Sequence, residues 1–254
     1  MLAKSYDDYK EVVADHFKAG DTLFLQPKLD GMRMVKRLGH LLQSRGGKPI
    51  VSVPHIDEIV QSLLEADPVV VLDGEGYADK FKNDFNSIIS NLRKTKPTDE
   101  DLAESARTID YHVYDLFVQG ESAMSFANRH QRLVRLHGMT DAICLRLGCR
   151  NPIKLVETIE VKSVEQIEKQ FAKWRMAGYE GAMIRVPLSP YECGRRSQSL
   201  LKYKVMDDAE FLVIDVEEGV GNRSGMAGAL VFRYGEKVFR AAPQGTDAAK
   251  RQRE

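Results

Sequence analysis

The feature that most constrains the fold is a lysine motif at residues 28–33, which reads Lys-Leu-Asp-Gly-Met-Arg. One apolar run precedes it and another follows, so the pattern predicts two strands, at about 22–28 and 32–38, that meet at the motif. Lys28 then projects from the end of a sheet. A lysine in such a position can act as a covalent nucleophile once it has lost its proton. The ordinary pKa of a lysine side chain is ~10.4, so neutralising half of it at pH 7 costs about 4 kcal/mol.

The tetrapeptide Lys-x-Asp-Gly has little meaning by itself. Taken alone, it indicates a surface turn in which Gly31 adopts a positive φ. The order of the motifs that follow it changes this interpretation.

Composition limits the class of protein. The 254 residues are 43% hydrophobic and 29% charged, which predicts a soluble chain with one large domain or one plus a smaller one. Lys+Arg and Asp+Glu both number 37, so a nucleic acid would have to be bound by a local basic patch. The three cysteines lack metal-ligand spacing, and no apolar run is long enough for a signal peptide or a bilayer span. We therefore expect a cytoplasmic monomer that makes no contact with a membrane.

The hydrophobic pattern alternates between helical and strand-like stretches. It predicts helices at about 6–18, 54–64, 84–93, 126–138 and 163–178, and Thr98 and Asp101 form a capping box that begins another. Further strands are predicted at 41–44, 69–72, 111–117, 153–161, 181–186 and 199–206. The run at 69–72 is unbroken and apolar, so we expect a buried strand that ends at Asp73.

The helix at 126–138 is predicted to be amphipathic. Its expected inward residues are Leu133, Val134 and Leu136, and its expected outward residues are Arg129, Arg132 and Arg135. After residue 206 the pattern becomes all-β, so we predict a domain boundary near 206/207. The glycine-rich loop at 219–225 is followed by no helix, so it is predicted to connect a hairpin rather than to bind phosphate.

Six short elements lie at predicted strand ends. They are residues 28–33, 44–47, 73–75, 114–115, 180–181 and 202–204. In this order they resemble the covalent nucleotidyltransferase superfamily, and they are most similar to compact viral- and phage-type ATP-dependent DNA ligases. The resemblance covers nearly the whole chain. It is strongest in three stretches: 180–185, 200–210 and the hairpin at 219–232.

The resemblance implies a fold and a domain organisation. The fold class is α+β: residues 1–206 would form an adenylation domain of antiparallel sheets with helices, and residues 207–254 an incomplete OB-fold. The residues after 206 suffice for about three strands. Related ligases end in a basic motif that orients pyrophosphate, so we expect that tail to be missing from this sequence and self-adenylation to be weakened.

The same resemblance assigns roles in phosphate chemistry. Lys28 would attack the α-phosphate of ATP and become lysyl-AMP. Lys202 and Lys204 alternate along one strand, so both face one side, where they would bind the α-phosphate and help to keep Lys28 deprotonated. Asp30 would lie near the attacking 3′-hydroxyl, and Arg45 would receive the 5′-phosphate of a nick.

Further roles concern the nucleotide and its metal ion. Glu75 would meet the ribose, and Glu75 and Glu180 would supply carboxylates for Mg²⁺, which takes one or two of these besides water and phosphate oxygens. Tyr114 would stack on adenine. The amide of Gln26 would accept from the adenine 6-amino group and donate to N1.

Two arginines and one aspartate complete the assignment. Arg33 and Arg45 carry planar guanidinium groups suited to phosphate oxygens. Asp73 is interpreted as a structural turn residue.

The sequence thus predicts an ATP-dependent DNA ligase that seals nicked duplex DNA with Mg²⁺. An RNA ligase or a capping guanylyltransferase shares the lysine motif, but Gln26, Tyr114 and the hairpin at 219–232 favour the DNA ligase over the capping enzyme. A non-catalytic module that grips nicks or ends is the remaining alternative. Such a module would have no need of the lysines and glutamates named above.

Overall fold

The computed structural model describes residues 1–82, 84–205 and 210–244, except for the side chain of Asn222. The chain divides into two compact units, Met1–Val205 and Met206–Glu254. Three parts of the sequence predictions lie outside the described residues: the end of the strand at 206, the motif residues Asp208 and Ala209, and the tail beyond 244. The part of the chain that is described contains no helix long and apolar enough to cross a membrane.

The first unit mixes helices and strands throughout. Its elements in chain order are β1 (Leu2–Ser5), α1 (Lys10–Lys18), β2 (Leu23–Lys28), β3 (Met32–Arg37), β4 (Gln43–Ser44), α2 (Pro54–Glu65), β5 (Val70–Tyr77), α3 (Phe85–Leu92), α4 (Asp99–Thr108), β6 (Asp110–Val118), α5 (Phe126–His137), α6 (Thr140–Leu147), β7 (Ile153–Leu155), β8 (Ile159–Val161), α7 (Val164–Met176), β9 (Gly181–Arg185) and β10 (Arg196–Lys204). The predicted α+β class is confirmed.

Two five-stranded sheets organise this unit. The first has the order β1-β10-β9-β2-β8, and the second has the order β4-β3-β5-β6-β7. Neighbouring strands are antiparallel except for β1 beside β10 and β6 beside β7. The first sheet packs its apolar face on α1 and α7, and the second packs on α2 and the helices that follow it. The lysine motif is where the chain leaves the first sheet at β2 and enters the second at β3.

Local signals predicted several elements correctly. The side chain of Thr98 accepts from the backbone N–H of Asp101, and the Asp101 carboxylate accepts in return, so the predicted capping box is present at the start of α4. Ser163 caps α7 in the same way by accepting from the N–H of Gln166. Capping depends on neighbours within one turn, which is why sequence alone can find it.

Other boundaries were wrong. The predicted strand at 153–161 is two strands, because the chain crosses between sheets there: β7 pairs with β6 in the second sheet and β8 with β2 in the first. The strand at 69–72 does not end at Asp73 but continues as β5 to Tyr77. The strand can continue past Asp73 because the next residue is glycine. A Cβ at Gly74 would lie only 2.6 Å from the ring of Tyr111 on the neighbouring β6. The short elements β1 and α6 were not predicted.

The orientation of α5 was also predicted incorrectly in part. Arg129 is 1% exposed and Val134 is 43% exposed, the reverse of the prediction. Arg129 shares a helix face with Phe126, Leu133 and Leu136, so helical spacing points it inward. A buried guanidinium is tolerated there because Asp115 on β6 pairs with it through two hydrogen bonds, at 2.8 and 3.1 Å.

The described part of the second unit is a three-stranded antiparallel meander. Its strands are β11 (Leu212–Glu218), β12 (Ala227–Tyr234) and β13 (Lys237–Ala241), in that order. The glycine-rich loop joins β11 to β12, as predicted for a hairpin connection. Three sequential β-strands fit the predicted partial OB-fold.

Candidate functional site

Gly31 brings the two sheets together at the lysine motif. It does not have a positive φ, so the surface-turn interpretation of this glycine is wrong. A Cβ at Gly31 would collide with the carbonyl oxygen of Gly76 and lie 2.8 Å from Cγ of Glu75. Only a residue without a side chain lets the loop after β2 approach β5 this closely. The close approach places Lys28, on the first sheet, beside Glu75, on the second.

A cavity of about 220 Å³ lies where these sheets meet. Six of the predicted site residues line it: Gln26, Lys28, Arg33, Arg45, Glu75 and Tyr114. The other lining residues were not predicted to be functional, and they are Met1, Leu2, Ala3, Pro27, Leu29, Asp73, Asp115, Met183, Arg185 and Leu200. The cavity therefore gathers residues from both sheets around Lys28.

Glu180 bridges two lysines beside the cavity. The ammonium of Lys28 donates to Oε2 of Glu180, and Nζ of Lys204 lies 3.4 Å from Oε1 of the same carboxylate. Strand register explains the grouping. Lys28 and Lys204 are both paired with Gly181, one from each neighbouring strand, so their side chains share one face of the sheet.

Lys202 occupies a different position on that face. It pairs with Met183, which lines the cavity and also pairs with Gln26. Its own side chain lines a neighbouring cleft together with Lys4, Ser5, Asp8, Tyr9 and Arg196. The structure thus places Lys202 on the same sheet face as Lys28, but Lys204 is the lysine that shares a carboxylate with it.

Two acidic groups next to Lys28 are perturbed. Burial raises the pKa of Glu75 to about 8, although the ammonium of Lys28 acts to lower it. Burial and the nearby Glu180 also raise the pKa of Asp30, again against the effect of Lys28. Groups perturbed in this way cluster at functional sites.

Arg33 is held inside the protein rather than presented to phosphate. Its guanidinium forms two 2.7 Å hydrogen bonds to Asp73 and donates further to the hydroxyl of Tyr191 and the carbonyl of Met1. Four of its five N–H groups are thereby used. Burial acts to lower the pKa of Arg33, but Asp73, Tyr114 and Tyr191 together outweigh burial and raise it.

Asp73 is not a turn residue, contrary to the prediction. It is 2% exposed within β5 and accepts hydrogen bonds from three side chains: the guanidinium of Arg33, the hydroxyl of Tyr191 at 2.6 Å and the hydroxyl of Tyr114 at 3.2 Å. This carboxylate therefore fixes both Arg33 and the predicted adenine-stacking residue, Tyr114. Burial also raises the pKa of the Tyr114 hydroxyl well above its usual range, with Asp73 adding to the effect.

Arg45 differs from Arg33 in being exposed at the rim of the cavity. Within the described residues its side chain forms no hydrogen bond or ion pair. It follows β4 in a tight turn in which Gly47 has a φ of 78°. Of the two predicted phosphate-binding arginines, Arg45 is the one with a guanidinium open to solvent.

A buried polar network forms the floor of the cavity. Gln26 is 1% exposed; its amide nitrogen donates to the carbonyl of Tyr114 at 3.1 Å and to the hydroxyl of Thr158 at 2.8 Å. Its amide oxygen accepts from Nε of Arg185 at 2.6 Å.

Arg185 also donates to Asp115 at 2.8 Å, and Asp115 is the partner of Arg129. With two guanidinium groups and one carboxylate, this buried cluster has a net positive charge.

Sequence reasoning missed several of these residues. Met183 and Arg185 follow Gly181 at alternating positions of β9, so strand periodicity alone would have placed them on one face with Lys28. Tyr191 lies in the loop before β10, and no sequence signal identifies its contact with Asp73. The described part of the chain contains no group of three or more His, Cys, Asp or Glu residues that could hold a metal ion by itself.

Comparisons of this chain with a family model and with curated proteins all indicate the same family. A family model described as the ATP-dependent DNA ligase domain matches residues 1–204. Among curated proteins, a probable DNA ligase of Sorangium cellulosum is 30% identical over 240 residues, covering 91% of this chain and 41% of its own length. The DNA ligase of African swine fever virus, strain Badajoz 1971 Vero-adapted, is 29% identical over 183 residues, covering 70% of this chain and 40% of its own.

The fold is also similar to solved ligase structures. A Lig E DNA ligase superposes with a TM-score of 0.74 at 23% identity, and Chlorella virus DNA ligase-adenylate superposes with a TM-score of 0.60 at 21%. Each alignment covers 99% of this chain and 86% of the other. The DNA ligase of Archaeoglobus fulgidus matches 68% of this chain but only 30% of its own length, so the chain spans about a third of that relative.

Proposed function

Since the chain belongs to the ATP-dependent DNA ligase domain family, we propose that it forms lysyl-AMP on Lys28 and uses it to seal nicks in duplex DNA. The observation that carries the proposal is the grouping of Lys28, Glu180 and Lys204 beside the cavity between the two sheets. A non-catalytic binding module does not require a lysine and a carboxylate in contact at the edge of such a cavity. Ligase structures with this fold include one described as a ligase-adenylate and one of the bacteriophage T7 enzyme in complex with ATP.

The proposed reaction has three steps. The lone pair of Lys28 Nζ forms a bond to the α-phosphorus of ATP while the bond to the bridging oxygen breaks and pyrophosphate leaves. An oxygen of the 5′-phosphate at a nick then attacks the phosphorus of AMP, the P–N bond breaks, and the leaving nitrogen of Lys28 takes up a proton. In the last step the 3′-hydroxyl attacks the 5′-phosphorus, loses its proton and expels AMP. Lys202 and Lys204 contribute positive charge on the same sheet face, which stabilises the developing phosphate charge in each transition state. Asp30, two residues after Lys28, faces the 3′-hydroxyl in the last step.

The proposed nucleotide position follows from the lining of the cavity. Tyr114 on β6 stacks against the base, and Met183 on β9 contributes an apolar surface from the other sheet. The carboxyl of Glu75, which lines the cavity, contacts the ribose. Arg45 at the rim receives the 5′-phosphate of the nick.

The acidic residues fit Mg²⁺ bound together with substrate. Mg²⁺ binds through one or two carboxylates plus waters and phosphate oxygens; Glu180 accepts a hydrogen bond from Lys28, and Glu75 lines the same cavity as Lys28. Bound there, the ion would neutralise phosphate charge. Both oxygens of Glu180 face ammonium groups in the free protein, so its carboxylate is already positioned beside the reacting lysine.

We also propose the domain roles and the partner. Residues 1–206 act as the adenylation domain, and residues 207–254 belong to an OB-fold domain that binds DNA. The partner is nicked duplex DNA, bound by a monomer in the cytoplasm, or wherever the DNA lies if the gene is viral.

Incubation with α-labelled ATP and Mg²⁺ followed by a denaturing gel tests the first step. The expected result is a labelled protein whose label is lost in acid and kept in mild alkali, as a P–N bond requires. Lys28→Ala should abolish the label, and the exposed Lys169→Ala should keep it. A labelled Lys28→Ala protein would contradict the proposal. Sealing of a nicked duplex that carries a labelled 5′-phosphate tests the remaining steps.

A further inference from the structure

Two of the three cysteines lie at the C-terminal end of α6. The helix ends at Gly148, whose φ of 67° turns the chain out of the helix. The N–H of Cys149 donates to the carbonyl of Cys144 at 3.1 Å, and the N–H of Gly148 donates to the carbonyl of Leu145 at 3.3 Å. This pair of hydrogen bonds is the Schellman motif, in which the residue after the glycine often packs its side chain on the first helix residue of the motif. Here both of those residues are cysteines.

The backbone hydrogen bond limits the separation of the two cysteines. A carbonyl oxygen lies about 2.4 Å from its Cα and an amide nitrogen about 1.5 Å from its own, so a 3.1 Å hydrogen bond holds the Cα atoms of Cys144 and Cys149 within roughly 7 Å. Cysteines whose Cα atoms lie more than ~7 Å apart cannot be bridged without movement of the backbone. The side chain of Cys149 also turns towards Cys144, because its Sγ lies 3.8 Å from the Cys144 carbonyl oxygen. The pair therefore meets the spacing that a disulfide requires.

Neighbouring residues hold Cys149 in this position. The guanidinium of Arg150 donates to the carbonyl of Ile109 at 2.8 Å, just before β6. The side-chain amide of Asn151 donates to the hydroxyl of Thr140 at 2.8 Å, at the start of α6. The chain that follows the helix is thus fastened on two sides, so Cys149 stays beside the helix cysteine.

The two thiols differ in exposure. Cys149 is exposed, whereas Cys144 is 3% exposed and belongs to the core between the second sheet and its helices. Burial, together with the neighbouring Cys149 thiol, raises the pKa of Cys144 to about 11. An oxidant from solution therefore meets Cys149 first, and Cys144 can react only with its neighbour.

We propose that Cys144 and Cys149 form a redox-sensitive dithiol, which closes into an intramolecular disulfide when a small-molecule disulfide such as oxidised glutathione is in excess. The sulfur of Cys149 attacks one sulfur of oxidised glutathione, the S–S bond of that molecule breaks, and one glutathione leaves and takes up a proton. The sulfur of Cys144 then loses its proton and attacks Sγ of Cys149, and the second glutathione leaves and takes up a proton. Two protein thiols are oxidised, and one glutathione disulfide is reduced to two thiols.

The disulfide joins residues that already contact each other in the folded protein, so it stabilises the end of α6. In a reducing compartment the pair stays as two thiols, and it closes as the ratio of disulfide to thiol rises. Neither cysteine lines the cavity beside Lys28, and the inference does not rest on the proposed ligase function.

Redox equilibration tests the reaction in a Cys193→Ser background, which removes the third, exposed thiol. The folded protein is incubated with mixtures of reduced and oxidised glutathione, quenched in acid and examined by intact mass. The expected product has lost two hydrogen atoms and carries no glutathione. In Cys144→Ser the reaction should stop at Cys149 with one glutathione attached. In Cys149→Ser, which keeps only the buried thiol, the folded protein should stay unmodified.

A thermodynamic cycle separates the folded geometry from nearness in the sequence. Cys144 and Cys149 can also pair in an unfolded chain, so the equilibration is repeated in urea at a concentration that unfolds the protein. The equilibrium constant for disulfide formation should be at least tenfold larger in the folded protein. The free energy of unfolding of the oxidised form should then exceed that of the reduced form by at least about 1.4 kcal/mol. Equal constants in the folded and unfolded protein would overturn the inference, as would glutathione that remains on Cys149 while Cys144 is present.

Discussion

Glu180 contacts Lys28 across strands that are far apart in the sequence, and the same carboxylate lies 3.4 Å from Nζ of Lys204. The backbone supports this contact, because the N–H of Glu180 donates to the carbonyl of Lys28 at 3.1 Å. Two cations therefore share one anion beside the cavity.

Removing the charge of Glu180 should slow adenylation. In Glu180→Gln, Lys28 and Lys204 lose the carboxylate that positions them and the proposed metal ion loses a ligand, so the rate of lysyl-AMP formation should fall by more than tenfold, or over ~1.4 kcal/mol. Glu160→Gln, an exposed position on β8, should leave the rate unchanged. Single-turnover labelling with α-labelled ATP measures both. Equal rates for the wild type and Glu180→Gln would show that the ion pair has no part in the chemistry.

The two lysines of β10 should both matter, and Lys204 more for the first step. If they only decorated a strand, replacement by Ala would change stability by a few tenths of a kcal/mol and leave adenylation intact. If they face the α-phosphate, each loss should slow adenylation by well over tenfold, more than ~1.4 kcal/mol. The initial rate of labelling with α-labelled ATP is the measurement. An unchanged rate in both variants would mean that the two lysines have no part in adenylation.

Arg45→Ala should impair nick sealing more than lysyl-AMP formation. Arg45 is exposed at the rim, and Arg33 cannot replace it because Asp73 already holds that guanidinium. Arg37→Ala, at the exposed end of β3, serves as the control. In the wild type, the logarithm of nick affinity should fall by roughly 0.9 per phosphate contact for each tenfold rise in salt concentration. In Arg45→Ala this salt dependence should be weaker by the amount of about one phosphate contact. Equal loss of nick sealing and of lysyl-AMP formation would mean that Arg45 contacts ATP rather than the 5′-phosphate.

Gly31→Ala should destabilise the first unit, whereas Gly46→Ala should not. A Cβ at Gly31 would collide with the backbone of β5, and overpacking of this kind costs about 1–3 kcal/mol. A Cβ at Gly46 would meet no atom within 4 Å, so a change within about 0.5 kcal/mol is expected there. Urea unfolding compares the two variants. Equal midpoints would mean that the loop can move away from β5 at no cost.

Acid should weaken the fold through its buried histidines. Burial lowers the pKa values of His55, His112 and His130 below the ordinary value of 6.5. Between pH 6.5 and the lower folded-state values, the unfolded chain binds more protons than the folded one, so the free energy of unfolding should fall as the pH drops through this range. His112→Gln should make that fall shallower, as measured by urea unfolding at pH 7.5 and pH 5. If the free energy of unfolding falls equally between pH 7.5 and pH 5 in both proteins, His112 does not cause the acid sensitivity.

The sequence alone determined what depends on near neighbours. Alternation and turn residues predicted β2 and β3 around the lysine motif, and Thr98 and Ser163 marked helix starts because capping involves residues within one turn. The order of short motifs indicated which polar residues would gather at strand ends. Lys28, Glu75 and Tyr114 were found in this way, and the structure brings all three to one cavity.

Only the tertiary structure decided how polar groups are paired. The sequence predicted Arg129 as an outward residue of its helix and Arg33 as a phosphate ligand, yet each guanidinium is held by an aspartate from another element, Asp115 or Asp73. The orientation of the Gln26 amide depends on Thr158 and Arg185, which are 132 and 159 residues away in the chain. A hydrogen bond between distant residues leaves no periodic trace in the sequence, because it depends on the register and packing of whole sheets. The chemistry of this site could therefore be predicted by residue type, but its donors and acceptors could be assigned only in three dimensions.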